Sequence, residues 1–380
     1  MFYQTIIDII SQKNTALWTG PVRAALSILE IPYRAIVTLR NKLFDRGIKK
    51  THTLPAATIS IGNITTGGTG KTPMVIEITL RLIALDAKPA ILLRGYKSKN
   101  NQSDEAMVLA KELGSTVPVI ANPSRVLGAR AAMDMAPDTD VFILDDGFQH
   151  RQAGRDLDLL LVDATQPFGY QHVLPRGLLR EPLSNLKRAG AIIITRCEQA
   201  SPTQIQKLDQ AITQITGRPP LAHAQHKWIG FTRNRTNDNQ AKTILQDLNV
   251  IGVSGIANPA PFFNTLSKMT NKILHTHIMP DHYHYSRAWL DNLLKQAIDA
   301  NAHAIVTTEK DWVKWLKILE AHPEIKLPLP IYRPLLRMAF IDGGHIIDAL
   351  LAKTLTAHAW GIKPRKKKNA VQVKHTKVTK

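Results

Sequence analysis

Cysteine is nearly absent. Cys197 stands alone in a chain of 380 residues, which excludes any intrachain disulfide and suits a reducing cytosol. Placed just after an apolar run at 190–195, it reads as a small buried residue. Long apolar runs are missing too. A membrane span needs about 20 mostly apolar residues, and the most apolar N-terminal region, 15–45, is broken by Arg23, Glu30, Arg34, Arg40 and Lys42. No segment reads as a secretory signal. Acidic residues are scarce beside basic ones, 30 against 49, giving a net charge of +19 and a pI near 10.0. That balance calls for an anionic partner and leaves nucleic acid, anionic membrane and a phosphorylated substrate all open. Much of the excess sits in residues 361–380, where Lys363, Arg365, Lys366, Lys367, Lys368, Lys374, Lys377 and Lys380 face no acid. This basic tail reads as disordered and solvated, and secondarily as an anion-attracting arm.

A glycine-rich turn is present, and its position gives it meaning. Thr65-Thr66-Gly67-Gly68-Thr69-Gly70-Lys71-Thr72 follows the apolar run Ala57-Thr58-Ile59-Ser60-Ile61. A strand, a glycine-rich turn and Lys-Thr opening a helix make the phosphate-cradling loop of a P-loop nucleotide enzyme. Glycines let successive backbone N–H groups converge on phosphate oxygens with no Cβ in the way. Lys71 supplies a point charge, the Thr72 hydroxyl is a Mg²⁺ ligand, and the helix N-terminus adds partial positive charge. Thr65 stands where the full pattern has glycine. The loop predicts binding of ATP or GTP. Downstream, Asp145 and Asp146 end the apolar strand 141–144, where an acid holds Mg²⁺ beside the P-loop. The alternative for this pair is a plain strand-ending Asp-Asp-Gly turn.

Continuous Val/Ile/Leu runs predict strands buried on both faces at 57–61, 89–93, 117–120, 141–145, 157–162 and 190–195. Helical stretches at 72–85, 103–113 and 124–135 alternate with them. The expected fold is α/β: a P-loop NTPase-type parallel sheet with helices on both faces, plus a second, smaller α/β lobe. The expected organisation is amphipathic N-terminal helices over 1–50, the P-loop domain over 51–215 and a connection over 216–245, the chain turning polar around 200–245. The smaller lobe then covers 246–360, with strands at 248–254, 273–278, 303–307 and 330–332 and helices at 286–299 and 311–321. In the N-terminal region Trp18, Val22, Leu26, Leu29, Tyr33, Ile36, Val37 and Leu43 recur near helical spacing with basic residues between them. By pattern alone such a helix lies in a membrane interface or packs on its own domain. Pro21 and Pro32 are expected to break the region into two helices.

Asp145-Asp146-Gly147-Phe148-Gln149-His150 resembles the Asp-Asp-Gly-x-Gln-His box of the lipid A 4′-kinases, also called tetraacyldisaccharide 4′-kinases. The resemblance covers most of the chain. Gly62-Asn63 with Gly67-Gly68-Thr69-Gly70-Lys71-Thr72-Pro73 matches that family's loop. Arg94-Gly95-Tyr96, Leu174-Pro175 through Leu179-Arg180-Glu181-Pro182-Leu183, Gly255-Ile256-Ala257-Asn258-Pro259, Pro280-Asp281-His282 and Thr307-Thr308-Glu309-Lys310-Asp311 recur in its order. Departures are Ser103-Asp104-Glu105-Ala106, where the family has Gly-Asp-Glu-Pro, and Leu93 in place of Ser.

The resemblance implies transfer of the ATP γ-phosphoryl group, with Mg²⁺, to the 4′-hydroxyl of a tetraacyl glucosamine disaccharide 1-phosphate, giving lipid IVA. A sugar hydroxyl is a weak nucleophile, so a base must take its proton. Asp104 is the expected base, with His282 of the second lobe oriented against it as a dyad. Glu105, Gln149 and Glu181 are expected to order Mg²⁺, its waters or the acceptor, and Arg94, Arg125 and His150 to contact substrate. The alternative for Asp104-Glu105 is an acidic first helical turn. An acceptor with several acyl chains stays in the bilayer, so the resemblance implies a peripheral enzyme on the cytoplasmic face of the bacterial inner membrane. Its docking surface would be the N-terminal helices on anionic lipid, with no nucleic acid partner. A partitioning ATPase would carry an extra lysine where Thr65 and Thr66 stand, and a soluble small-molecule kinase would not need the apolar N-terminal helix. A zinc reading of Asp281-His282-Tyr283-His284 lacks a third well-spaced ligand.

Overall fold

The computed structural model describes residues 2–11, 16, 18–67, 69–95, 104–234, 239–256, 259–280 and 283–359. The chain forms two compact units. The first runs to Gln225 and resumes at Phe340, and the second is His226–Ala339.

The first unit opens with helices α1 (Phe2–Ile10) and α2 (Thr19–Asp45). Strand β1 (Ala57–Asn63), α3 (Lys71–Ile83), β2 (Pro89–Leu93), α4 (Asp104–Leu113), β3 (Val119–Ala121), α5 (Arg125–Met135) and β4 (Val141–Asp145) follow. Then come β5 (Leu157–Asp163), β6 (Ala191–Thr195), α6 (Pro202–Thr216) and the start of β7 (Ala222–Arg233). The strands lie in the order β7-β6-β5-β1-β4-β2-β3, parallel throughout. β1, β2, β4, β5 and β6 are buried at every residue. Such strands have no solvent face to fill with polar side chains, hence their unbroken apolar runs. α3 packs on β1, β2 and β4, and α5 on β2 and β3. The expected parallel α/β fold is the one observed.

The second unit takes the rest of β7, then β8 (Asn239–Gln240), β9 (Asn249–Ser254), α7 (Ala260–Leu266), β10 (Lys272–Ile278), α8 (Arg287–Asp299), β11 (Ala304–Thr307) and α9 (Glu309–Ala321). β12 (Ile331–Asp342) leaves it, and α10 (Gly344–Ala359) ends the described chain in the first unit. The order here is β10-β9-β11-β12-β7, with β8 antiparallel to β7. Trp312 and Trp315 of α9 fill the core with Leu290, Leu293, Ile251 and Ile305.

Four expectations need correction. The stretch 216–245 is no mere connection, because Ala222–Arg233 is a 12-residue strand whose polar centre, Gln225-His226-Lys227, hides its burial at both ends. α6 lies in what read as polar chain, although Ser201 and Gln204 form a capping box and Gly217 takes the left-handed C-cap conformation. Residues 340–359 do not belong to the second lobe, since α10 packs on β1. Finally, α2 runs unbroken for 27 residues. Pro21 falls in its first turn, where the missing N–H has no intrahelical partner anyway. Pro32 removes one internal bond, and tertiary anchors on either side hold the helix together. Glu30 accepts from the Val173 N–H at 3.1 Å and pairs with His172 at 2.8 Å, while Arg40 reaches Glu181 at 2.6 Å.

Candidate active site

β1 lies between β4 and β5, and its register sets Ile61 beside Asp145. The P-loop therefore leaves the sheet next to the Asp145-Asp146 pair. Two glycines make that neighbourhood possible. A Cβ on Gly62 would stand 2.6 Å from the Phe148 Cβ, and one on Gly147 would stand 2.6 Å from the Ser60 hydroxyl. The loop closes on Gly70, which caps α3 at φ 82° with no side-chain cap on the helix's first N–H groups. Uncapped N–H groups at a helix start favour an anion. The buried Thr69 hydroxyl has no hydrogen-bond partner among the described residues, while its carbonyl accepts from Thr195 at 2.9 Å. These features fit nucleotide phosphates. Mg²⁺ is held by one or two carboxylates, with phosphates and water completing its shell. Thr72, Asp145 and Asp146 supply that donor set, so the residues fit the ion. Among the described residues no group of three or more His, Cys, Asp or Glu is arranged to hold a metal.

Two residues given no role at the sequence level complete the cluster. Lys71 Nζ donates to Asn63 Oδ1 at 3.2 Å and stands 3.5 Å from Asp146. Arg180 Nη1 donates to both Asp146 oxygens at 2.8 and 2.7 Å. Asp146 sits at φ 50°, in the left-handed region. Burial alone would raise its carboxyl, but the Lys71 and Arg180 charges outweigh burial and hold it below the usual carboxylate range. Gln149 donates from Nε2 to the Asn63 carbonyl at 2.8 Å and accepts from Arg180 at 3.4 Å. Arg180 also clips its own segment to the loop, its N–H donating to the Ile64 carbonyl at 2.8 Å, and Thr66 N–H donates to Leu178 at 2.7 Å. Asn63 ends the apolar strand and Arg180 lies inside the Leu-Arg-Glu-Pro-Leu motif, so position alone marked both.

The sequence model of the tetraacyldisaccharide-1-P 4′-kinase family matches residues 22–353. A tetraacyldisaccharide 4′-kinase of Anaeromyxobacter dehalogenans (strain 2CP-C) is 35% identical over 308 residues, covering 77% of this chain and 81% of the relative. The Syntrophus aciditrophicus kinase of the same name is 35% identical over 82% of this chain and 87% of its own. The chain belongs to this family. The "apo" form of LpxK from Aquifex aeolicus, crystallised with ATP, superposes at a TM-score of 0.66 with 27% identity, covering 88% of this chain and 99% of that one.

The remaining expected residues of this family member divide sharply. Thr65, Thr66, Gly67, Thr69, Gly70, Lys71, Thr72, Asp145, Asp146 and Gln149 gather at the ends of β1 and β4. Glu181 does not join them. It is fully buried, its carboxylate taken by Arg40 at 2.6 Å, Arg188 at 3.0 Å and Asn185 at 2.8 Å, so it ties α2 to the body instead of ordering Mg²⁺ or acceptor. Arg125 is likewise buried, donating to the Asp145 carbonyl at 3.0 Å and the Asn122 carbonyl at 3.2 Å. It braces the β4 end. Arg94 ends exposed after β2. Burial and the charges of Arg125, Arg155 and Arg94 push the His150 imidazole down to about 4, which keeps it neutral. Asp104 and Glu105 begin α4. Their side chains, and Gly68, His282 and the basic tail, lie outside the described residues.

Proposed function

We propose that this chain is an ATP- and Mg²⁺-dependent kinase that phosphorylates the 4′-hydroxyl of a tetraacyl disaccharide 1-phosphate. The observation that carries this reading is the P-loop and the Asp145-Asp146 pair on neighbouring parallel strands, in a chain matched by the family over residues 22–353. Lys71, the α3 N-terminus and the loop N–H groups hold the β- and γ-phosphates and orient the terminal phosphorus for in-line attack. Thr72, Asp145 and Asp146 would hold Mg²⁺, which would supply positive charge against the phosphate oxygens. Arg180 fixes Asp146 and, through Gln149 and Asn63, the strand end from which the loop departs. Asp104 takes the proton of the sugar hydroxyl as its oxygen bonds to the γ-phosphorus and the bond to the bridging oxygen breaks, releasing ADP, and Glu105 would order the waters of a bound Mg²⁺.

The acceptor's acyl chains keep it in the bilayer, so the enzyme works at a lipid surface. α2 supports this reading because its apolar side chains face outward. Ile28, Ile31 and Ile36 are each 68% exposed and Leu39 59%, beside exposed Arg34 and Lys42. No helix among the described residues is long and apolar enough to cross a membrane. Incubation with γ-labelled ATP and acyl disaccharide 1-phosphate in detergent micelles tests the activity, with label expected on the 4′ oxygen. Lys71→Ala is expected to abolish most transfer with the fold retained. Asp104→Ala is expected to lower kcat by about 10²–10⁴-fold with ATP affinity little changed. No label on the disaccharide would refute the assignment, and near-wild-type turnover of Asp104→Ala would place the base elsewhere.

A further inference from the structure

The turn that carries Asp146 and Gln149 is held from behind by one guanidinium. Arg155 Nη1 donates to the Gly147 carbonyl at 2.8 Å and to the Phe148 carbonyl at 3.3 Å. Its Nη2 donates to the His150 carbonyl at 2.7 Å and to the Ala153 carbonyl at 3.4 Å. The Asp158 carboxylate of β5 backs the same group, accepting from Nη1 at 3.3 and 3.4 Å. The two shortest contacts bracket the turn. Gly147 follows Asp146 and His150 follows Gln149, and these are the two side chains that reach Lys71, Arg180 and the Asn63 carbonyl.

Arg155 and Asp158 are both withdrawn from water, their side chains 12% and 8% exposed. A buried ion pair by itself is weak evidence of any purpose. What distinguishes this one is its reach across the turn and its anchorage. The next residue, Asp156, exchanges hydrogen bonds with Thr58 of β1, its N–H donating to the Thr58 carbonyl and its carboxylate accepting from the Thr58 N–H, each at 2.8 Å. Arg155 is therefore fastened to the strand that feeds the P-loop. Asp146 holds φ 50°, a conformation that a residue with a side chain keeps only where its surroundings over-determine it. A planar fork of N–H donors can grip two separated carbonyls at once, and a single ammonium cannot reproduce that spacing.

We infer that Arg155 is a positioning residue for phosphoryl transfer, fixing the backbone on either side of Asp146 and Gln149 so that both meet the phosphate loop in one arrangement. The inference rests on the reading of Asp146 as an acid that holds Mg²⁺. Arg155→Lys in the full chain tests it, by steady-state kinetics with ATP and micellar acyl disaccharide 1-phosphate and by equilibrium binding of ATP in EDTA. The lysine keeps the charge beside Asp158 and loses the fork. Misplacement by about 1 Å lowers rates by about 10²-fold, and a fall of that order in kcat is the expected result. ATP binding in EDTA is expected to stay within about twofold of wild type, because Lys71 and the loop N–H groups are untouched. Placed on Asp146→Asn, Arg155→Lys is expected to lower kcat far less than it does alone. Three results overturn the inference: kcat within about twofold of wild type, a loss that adds in full to that of Asp146→Asn, or a loss of ATP binding in EDTA alongside kcat. Should Arg155→Lys not fold, Asp158→Asn, which loosens the guanidinium without removing it, is expected to show the same split to a smaller degree, and wild-type kcat there overturns the inference equally. Wild-type kcat in Asp146→Asn overturns instead the reading of Asp146 on which the inference rests.

Discussion

His150 and Glu181 show how surroundings set the task of a titratable side chain. The pKa of His150, about 4 in the folded chain, lies below the ordinary 6.5. The unfolded chain therefore takes up this proton first as pH falls. His150 costs no stability above pH 6.5, and its penalty grows as pH falls from 6.5 towards 4, where it levels off. His150→Gln is expected to flatten the decline of melting temperature between pH 7 and 4.5, and an unchanged slope would show that the imidazole does not titrate low. Glu181 illustrates the opposite case, a buried carboxylate fully committed to two guanidinium groups. Breaking a buried ion pair by removing one partner costs about 3–5 kcal/mol, the upper end being reduced here because Arg40 and Arg188 are partly exposed. Glu181→Gln should lower the denaturation midpoint while the folded fraction keeps its turnover. A loss of kcat without a loss of stability would restore Glu181 to the chemistry.

α2 inverts the usual pattern of an amphipathic helix. Its buried residues include Thr19, Glu30 and Asn41 beside Val37, whereas isoleucines and Leu39 point outward. Polar anchors hold the helix to the body, with the Tyr33 phenol donating to the Arg180 carbonyl at 3.1 Å, and leave the apolar face uncovered by the described chain. Ile31→Ser with Leu39→Ser should change stability by less than about 0.5 kcal/mol each, as surface substitutions do. The same pair should weaken sedimentation with anionic vesicles. Arg34 and Lys42 add about 1 kcal/mol each near such a surface, screened within about 8 Å at physiological ionic strength. Salt should therefore release the protein only in part. Unaltered vesicle binding by the double variant, or a large drop in melting temperature, would show that the face serves another purpose.

At the level of the whole molecule, the second unit begins within β7 and ends within β12, and the chain returns to the first unit in α10. Ile347 and Leu351 are fully buried, and Arg81 of α3 donates to both oxygens of Asp348 at 2.7 and 2.8 Å. The last described helix thus braces both the P-loop strand, β1, and the P-loop helix, α3. Leu351→Ala is expected to cost about 2–5 kcal/mol and to lower the melting temperature at which ATP binding is lost. Destabilisation confined to residues 226–339 in hydrogen exchange would contradict that assignment of α10.

The sequence by itself determined the parallel α/β character, the P-loop and the Asp-Asp pair, because each is written in contiguous residues whose spacing is the chemistry. Strands buried on both faces must be apolar without interruption, and a phosphate loop needs glycine, lysine and threonine side by side. Tertiary structure alone decided that Glu181 belongs to α2, that Asn63 and Arg180 hold Lys71 and Asp146, and that α10 braces the first unit. It also showed β7 to be a strand despite its polar centre. Arg40 and Glu181 lie 141 residues apart, and Arg81 and Asp348 lie 267 apart. A charged residue carries no local sign of which distant partner will neutralise it, so only the fold could assign these roles.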